Sequence, residues 1–275
     1  MKMTILITGA TGQLGSQIIE NLLTRHSASN FVAGVRNLDA AAPLTGRGVE
    51  VRCLDYDRPE TLQNALAGVS KLLLISSSHT DDAVRLTGHK NVIDAAKTAG
   101  VAHILYTSFA FPQAGNIHPG NVHALTEQAI LESGMEYTII RNGLYIDFVG
   151  VLGLNEAIRT GVLRTRPGDW RFNAVTRGDL ARATANVLTG TGHEHWIYEL
   201  AASQTWSFDN LAEVLTELAG KPVTHAEDMS VQHWIYHFLS SIDTTSTSED
   251  LEYLMGQPAA SLKESIMPFL NSRDL

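Results

Sequence analysis

Residues 4–25 read TILITGATGQLGSQIIENLLTR, which places an apolar run, a glycine-rich turn and an amphipathic pattern in direct succession. The apolar run predicts a buried strand over residues 4–8, and the periodic pattern predicts a helix from residue 16 to about residue 25. Between them, residues 9–15 have the spacing G-x-x-G-x-x-G. A glycine motif alone is a weak signal, but a strand directly before it and a helix directly after it are typical of a phosphate-binding turn.

The three glycines of this turn suit a pyrophosphate group. The first backbone N–H groups of a helix have no intrahelical acceptor, and the helix dipole adds partial positive charge at the same end. Gly9 and Gly12 keep bulky side chains away from that end, and Gly15 allows the helix to pack close to its strand. We therefore expect a dinucleotide on this turn. A tight strand–helix turn without a ligand is the alternative.

The residue after the second predicted strand indicates which dinucleotide to expect. An apolar run at Phe31–Val35 is followed by Arg36 and Asn37, and Arg36 lies 21 residues beyond Gly15. An acidic residue at this place would bind the ribose 2′-hydroxyl of NAD, whereas an arginine accommodates the 2′-phosphate of NADP. We predict NADP(H) as the cofactor. The alternative is a solvated arginine at a strand end.

Composition limits the kind of protein this can be. The 275 residues suffice for one large domain or for a domain with a small lobe. A net charge of −9 disfavours a nucleic-acid partner, and no apolar run approaches the roughly 20 residues that span a bilayer. The only cysteine, Cys53, excludes an internal disulfide, and the chain enters its first strand without a signal peptide, so we expect a cytoplasmic location. The histidines lack zinc-site spacing, so no metal is expected, and a homodimer is one option for the assembly.

Strands and helices alternate through the first half of the chain. This alternation predicts an α/β fold, a Rossmann-like doubly wound parallel sheet, with a small C-terminal α/β lobe. We place an NADP-binding domain at residues 1–150 and a substrate-side lobe at residues 151–275, with a soft and partly interleaved boundary. In the lobe we expect a strand near Trp170–Val175 and a mobile, solvated loop over Asp243–Ser248. Further strands are predicted at residues 49–54, 71–75, 103–107, 137–141 and 196–201.

A set of short segments is shared with one known family. These segments are residues 9–15, Val35-Arg36-Asn37, Asp55-Tyr56, Lys71–Ser76, Tyr106-Thr107, Arg141–Tyr145, Val175–Asp179 and, near residue 200, His193-Glu194 with Tyr198-Glu199-Leu200. With them the chain resembles the NmrA-like atypical short-chain dehydrogenases, and within that family the type 2 NADPH:quinone oxidoreductases and the triphenylmethane reductases. The resemblance covers almost the whole chain. It is expected to be weakest at residues 229–247, which should wall the acceptor pocket.

This resemblance implies a bound NADPH and assigns residues to each part of it. The adenine is expected near Asp55 and Tyr56. The phosphates and ribose are expected on Gly9, Thr11, Gly12, Gln13, Leu14, Gly15 and Arg36. The nicotinamide is expected near Ser76, Ser77, Ser78, Thr107, Ser108, Asn142 and Gly143.

Many short-chain dehydrogenases carry a catalytic tyrosine with a lysine four residues on, and this pair is missing here. The matching helix reads NVHALTE over residues 121–127. A ketone that accepts a hydride becomes a basic alkoxide and needs an acid, whereas a quinone becomes a phenolate whose conjugate acid has a pKa of about 10. The missing pair therefore favours quinone-like or other conjugated aromatic acceptors, which need positioning more than acid catalysis.

Two side chains are candidates for contact with the acceptor. Tyr145 follows the sixth predicted strand and could donate a hydrogen bond to an acceptor oxygen, or could pack on the cofactor. His123 lies on a helix that faces the strand ends and could do the same, or could satisfy a backbone carbonyl. Phe109, Phe111 and Phe148 could floor a flat acceptor or belong to the core.

Three functional hypotheses follow from these patterns. The first is an NADPH-dependent reductase that transfers a hydride to quinone-like or other conjugated electrophilic acceptors. The second is an NmrA-like redox sensor or regulator that binds NADP(H) without catalysis, which the missing tyrosine–lysine pair also allows. The third, a sugar-nucleotide epimerase, needs that pair and is disfavoured by its absence.

Overall fold

A computed structural model describes residues 4–112, 120–271 and 273. The chain divides into two compact units, one made of residues 1–142 and 180–199 and the other of residues 143–179 and 200–275. The expected domain boundary near residue 150 stays a prediction.

The described residues form nine strands. They are β1 (Ile5–Ile7), β2 (Phe31–Val35), β3 (Glu50–Cys53), β4 (Lys71–Ile75), β5 (His103–Phe109), β6 (Glu136–Asn142), β7 (Val162–Thr165), β8 (Trp196–Leu200) and β9 (Thr224–Glu227).

The same residues form eleven α-helices. They are α1 (Gln13–Leu23), α2 (Ala42–Thr45), α3 (Pro59–Leu66), α4 (Asp82–Ala99), α5 (Gly120–Ser133), α6 (Leu154–Thr160), α7 (Arg177–Thr189), α8 (Phe208–Ala219), α9 (Trp234–Ser240), α10 (Asp250–Met255) and α11 (Leu262–Ile266).

The first unit contains a seven-stranded sheet in the order β3-β2-β1-β4-β5-β6-β8. Its first six strands pair in parallel, with Ile5 of β1 opposite Phe31 of β2 on one side and Lys71 of β4 on the other. β1 and β2 are buried throughout, as strands of a sheet covered by helices on both faces must be. The predicted α/β class with a Rossmann-like doubly wound parallel sheet is confirmed. Chain order reverses between β1 and β4, which makes their carboxyl ends the topological switch point.

The second unit contains a two-stranded parallel sheet, β7 with β9, and a core rich in aromatic rings. The strand predicted near Trp170–Val175 is wrong, because that segment makes only two isolated bridges, Phe172 to Trp206 and Val175 to Tyr145. Its apolar side chains instead enter the core, where the ring of Phe172 lies 4.8 Å from that of Trp206. β9 was not predicted, since its sequence, THAE, has no strand periodicity.

The polar run Asp243–Ser248 is not the mobile, solvated loop predicted from its composition. The Asp243 carboxylate accepts hydrogen bonds from the backbone N–H groups of Thr245 and Ser246, at 2.9 Å and 2.8 Å. Thr244 is buried, and its carbonyl accepts a hydrogen bond from the backbone N–H of Asn173. Burial opposes ionisation of Asp243, but these hydrogen bonds outweigh it and lower the pKa of its carboxyl. The segment is therefore a hydrogen-bonded turn within the second unit.

Replacing Asp243 with Ala should lower the free energy of unfolding by about 1–2 kcal/mol, because the turn's backbone donors would lose their charged acceptor. Urea denaturation of both proteins measures the difference. Asp169→Ala is the matched control, since the Asp169 side chain is 95% exposed and its nearest cation, Arg171, is 3.8 Å away. Equal stabilities for Asp243→Ala and wild type would show that the turn contributes nothing.

Candidate functional site

A cavity of about 420 Å³ opens in the first unit at the carboxyl ends of β1, β2 and β4. This is the switch point, where ligands of doubly wound sheets bind. Twelve of the residues predicted to hold the cofactor line the cavity: Gly9, Thr11, Gly12, Gln13, Leu14, Gly15, Arg36, Asp55, Tyr56, Ser76, Ser77 and Ser78. The other four, Thr107, Ser108, Asn142 and Gly143, are not among its walls.

The glycine turn leaves the start of α1 open to the cavity. Gly9 has a φ of +57°, a conformation that other residues rarely adopt. A Cβ added to Gly15 would lie 2.3 Å from the carbonyl oxygen of Gly9, so the two glycines touch as bare backbone. Gly12 is the N-cap of α1, no side chain caps the helix, and no acidic residue lies in its first turn. These unsatisfied N–H groups and the empty space beside them fit a pyrophosphate.

Arg36 and Asn37 form the cavity wall after β2. Arg36 is exposed, and it forms no ion pair with any residue that the structure describes. Its guanidinium therefore remains available to a phosphate.

Tyr56 lines the cavity, but its hydroxyl is engaged elsewhere. The hydroxyl lies 2.5 Å from Oγ1 of Thr8 on one side and 2.7 Å from the carbonyl oxygen of Ile75 on the other. Burial raises the pKa of the Tyr56 phenol well above its usual value. The amide of Asn91 donates to the Tyr56 carbonyl, which ties α4 to this segment. Tyr56 can therefore offer a ligand its ring but not its hydroxyl.

Buried side chains fix the backbone of the segment that follows β4. The N–H of Ser76 donates to Oγ1 of Thr107 at 2.9 Å, and the N–H of Ser77 donates to Nε2 of His89 at 2.8 Å. Because Nε2 of His89 accepts, its proton is on Nδ1, which lies 2.9 Å from Oγ1 of Thr126. Burial lowers the pKa of His89 to about 4, with the charge of Arg85 as a smaller cause. His89 is therefore neutral at physiological pH.

His123 belongs to a second buried cluster beside this segment. Its Nδ1 lies 2.8 Å from the hydroxyl of Tyr106, and its Nε2 lies 3.3 Å from Nη2 of Arg85. The same Nη2 donates to Oγ of Ser76 at 3.1 Å. Burial, followed by the charge of Arg85, lowers the pKa of His123 to about 3. A histidine in this state is not an imidazolium acid at neutral pH, so it can act only as a neutral hydrogen-bonding group.

A third cluster joins the ends of β5, β6 and β8. The guanidinium of Arg141 binds Glu127 through two hydrogen bonds of 3.0 Å and 2.7 Å, and it binds Glu199 at 2.8 Å. Ser108 donates to Glu127, and the backbone N–H of Phe111 donates to Glu199. Thr107 and Ser108 thus use their hydroxyls inside the protein.

Sequence reasoning missed Arg85, Glu127, Arg141 and Glu199 as members of these clusters. One signal could have found part of them, because His123 and Glu127 are four residues apart and so share a face of α5. Both side chains are buried, which is rare for a glutamate without a partner.

Tyr145 lies in the second unit, where a guanidinium covers its ring. Arg177 sits over the ring with its Cζ 4.3 Å from the centroid, and it forms an ion pair with Asp147. Of the predicted aromatic floor, Phe148 is part of the core of this unit. In the first unit, Phe109 is half-buried with its ring 6.2 Å from that of His123. Their roles, like that of Tyr145, stay predictions.

Neither a metal site nor a membrane span is found among the described residues. No group of three or more His, Cys, Asp or Glu residues in residues 4–112, 120–271 and 273 is placed to hold a metal ion. In the same ranges, no helix combines the length and apolar character that crossing a bilayer requires.

Comparison with known proteins identifies the family. A family model described as NAD(P)H-binding matches residues 9–191, which include every wall of the cavity. The chain belongs to the NAD(P)H-binding family. It is 37% identical to Quinone oxidoreductase 2 of Escherichia coli over 97% of its own length and 99% of that relative's. The glycine turn and Arg36 thus lie in a member of a family that binds pyridine nucleotides.

Solved structures of two NAD(P)H-binding proteins match the whole fold. Citrobacter sp. triphenylmethane reductase in complex with NADP(H) has a TM-score of 0.89 and 41% identity, over 97% of this chain and 100% of that one. The NADPH complex of the E. coli NADPH-dependent quinone oxidoreductase has a TM-score of 0.84 and 36% identity, over 98% and 100%. The resemblance predicted from short segments is confirmed.

Replacing Gly15 with Ala should weaken NAD(P)H binding by about tenfold or more, because the new Cβ would collide with the Gly9 carbonyl and force the turn open. Isothermal titration calorimetry measures the affinity. Gly46→Ala is the control, since Gly46 has a φ of −60° and an added Cβ would lie 3.5 Å from its nearest neighbour. Unchanged affinity in Gly15→Ala would contradict a phosphate site on this turn.

The buried neutral histidines should make the fold sensitive to acid. Burial lowers the pKa of His89 and of His103 to about 4. In the unfolded chain, a histidine has a pKa of about 6.5. Between these two pH values the unfolded chain therefore binds protons that the folded state does not bind. The stabilisation that the two neutral histidines provide is complete above about pH 6.5 and is lost as the pH falls towards 4. When the pH falls from 7 to 5, each of the two histidines should lower the free energy of unfolding by about 2 kcal/mol.

Urea denaturation at the two pH values measures this loss in wild type and in His103→Gln. Glutamine can keep the hydrogen bond from residue 103 to Thr138, which lies 2.9 Å from Nε2 of His103, but it does not titrate. The variant should lose less stability on acidification than wild type does. Identical losses would mean that His103 is not held neutral.

Proposed function

We propose that this protein is an NADPH-dependent reductase that transfers a hydride to quinone-like or other conjugated electrophilic acceptors. The observation that carries the proposal is the cavity at the switch point in a member of the NAD(P)H-binding family. The start of α1 and Arg36 both line this cavity, and among the described residues neither has a side-chain cap or an ion-pair partner. NADPH, when bound, supplies the hydride. The relatives named as quinone and triphenylmethane reductases support this class of acceptor.

The proposed cofactor contacts follow from the cavity and from the resemblance. The glycine turn would hold the pyrophosphate, Arg36 the 2′-phosphate, and the wall at Asp55 and Tyr56 the adenine. Ser76–Ser78, which also line the cavity, would flank the nicotinamide. Thr107, Ser108, Asn142 and Gly143 complete the proposed set, with Thr107 acting through the backbone of Ser76.

The proposed acceptor class follows from what α5 presents in place of a tyrosine and a lysine. His123 and Glu127 occupy one face of this helix, one held neutral and the other bound to Arg141. His123 has no imidazolium proton to donate at neutral pH, and Glu127 is engaged by Arg141. Acceptors that become stable anions or neutral products therefore suit the site better than simple ketones. We propose that Tyr145 positions the acceptor by a hydrogen bond. His123, whose two ring nitrogens bind Tyr106 and Arg85, is proposed to act through these two partners. A cytoplasmic location and a homodimer stay predictions.

The regulatory alternative is a protein that binds NADP(H) without catalysis and acts through a protein partner. In the second unit, Met229, Trp234 and Tyr253 expose about two thirds or more of their surface, at 74%, 66% and 77%. Only a contiguous apolar patch formed by such side chains would be typical of a surface that binds a protein partner. A protein that binds NADPH tightly but reduces no quinone or dye would fit this alternative.

Wild type should consume NADPH in the presence of a small quinone. It should use NADPH in preference to NADH by about tenfold or more, because Arg36 pairs with the 2′-phosphate of NADPH. The decay of NADPH absorbance measures the rate. Arg36→Asp should abolish the preference. Arg164→Asp, at an exposed position of β7, makes the same change of net charge as a control. Equal use of both cofactors by wild type would contradict the role of Arg36.

A further inference from the structure

Two guanidinium groups lie in the clusters beside the ends of β4, β5 and β6, and they differ in how fully they are neutralised. Arg141 binds the two carboxylates of Glu127 and Glu199. Among the described residues, Arg85 has one carboxylate partner, Asp82, at 2.8 Å, and the Asp82 side chain is 43% exposed. The buried Nε of Arg85 has no hydrogen-bond partner among the described residues. Arg85 therefore keeps a positive charge and an unused donor in a largely buried place.

Arg85 is separated from the cavity by one small side chain. Its Nη2 donates to Oγ of Ser76 at 3.1 Å, and Ser76 is a wall of the cavity at the end of β4. The same nitrogen lies 3.3 Å from Nε2 of His123. At such short range and with little water between, a full charge acts strongly on any charge that forms at this end of the cavity. The lowered pKa of His123, in which Arg85 takes part, reflects the same field.

The two acceptor types suggested by the relatives change charge in opposite ways. A neutral quinone that gains a hydride, with its electron pair, becomes a hydroquinone monoanion, and one proton from water completes the hydroquinone. A cationic triphenylmethane dye that gains a hydride at its central carbon becomes a neutral product without any proton. In both cases NADPH is oxidised to NADP⁺. A fixed positive charge stabilises the transition state that gains negative charge, and it disfavours a bound cation.

We propose that Arg85 determines the acceptor class by favouring neutral quinones, which become anions, over cationic dyes. This inference rests on the proposed reductase function. Arg85 acts through its charge and its N–H donors and transfers no proton, since a guanidinium stays protonated in proteins. Of its two neighbours, Ser76 lines the cavity, and His123 holds the guanidinium in place beside it.

The first test compares kcat/KM for menadione, a neutral quinone, and for crystal violet, a cationic dye. Arg85→Gln should lose about tenfold or more with menadione and should keep or gain activity with crystal violet. Arg85→Lys, which retains the charge, should recover part of the loss with menadione. The control is Arg159→Gln, because Arg159 forms the same type of i,i+3 pair, with Glu156, but on an exposed helix face.

Equal losses with both acceptors in Arg85→Gln, or no loss with either, would overturn the proposal. Circular dichroism and the affinity for NADPH show whether the variant is folded. If it is not, Arg85→Lys and Asp82→Asn decide instead. Asp82→Asn removes the one carboxylate on Arg85 and should shift the preference further towards menadione, and a shift towards crystal violet would contradict the proposal.

The second test requires no turnover. In the complex with NADP⁺, bound 4-nitrophenol resembles a phenolic product, and its ionised form absorbs visible light. Its pKa should be lower on wild type than on Arg85→Gln by about one unit, which is tenfold in the ionisation constant. An equal pKa on both proteins, or no binding to either, would overturn the role of Arg85. If wild type reduces neither acceptor yet shows this difference, the reductase function fails while the anion-stabilising charge stands.

Discussion

The carbonyl oxygen of Gly9 and the backbone of Gly15 approach so closely that no side chain fits between them. This contact sets the start of α1 directly against the end of β1, at the place where the strand order reverses. The first N–H groups of the helix are left without a cap and face a cavity. Because Gly9 and Gly15 lie so close together, one cavity is lined by the helix start, the guanidinium of Arg36 and the segment after β4. The dinucleotide site therefore depends on two missing side chains as much as on any group that is present.

Around the cavity, buried side chains satisfy backbone N–H and carbonyl groups that would be paired with other backbone groups inside a helix or a sheet. Thr107 and His89 accept the N–H groups of Ser76 and Ser77, and Tyr56 donates to the carbonyl of Ile75. Such groups are costly to bury unless each is satisfied, and a histidine is satisfied here only in its neutral form. The backbone after β4 is thus held by matched polar groups, and the neutral state of His89 follows from the same matching.

Much of the first unit could be predicted from the sequence, because its signals are local. The strand, turn and helix at residues 4–25 follow one another without a break, and twelve predicted cofactor residues line one cavity. In the second unit, by contrast, Trp170–Val175 has the composition of a strand but is divided between two partners, Tyr145 and Trp206. Asp243–Ser248 has the composition of a solvated loop but forms a turn that holds Asn173. These outcomes depend on residues 30 to 73 positions away, which no local pattern reports.

The charged clusters were missed for the same reason. Arg85, His123 and Tyr106 come from α4, α5 and β5, and nothing in any one segment shows that they meet. Only the spacing of His123 and Glu127 carried information, since residues four apart share a helix face. The absence of a tyrosine–lysine pair indicated that this face of α5 does not supply the usual acid–base groups. What replaces the pair could be read only from contacts between segments.

In the segment after β4, the residues that hold the backbone in place differ from the residues that line the cavity. Thr107 and His89 bind its backbone, and Thr126 binds His89 in turn, whereas Ser76, Ser77 and Ser78 line the cavity. A change at Ser77 or Ser78 would leave the hydrogen bonds from the backbone to Thr107 and His89 intact. Natural variation could therefore alter what the wall recognises without having to rebuild the fold beneath it.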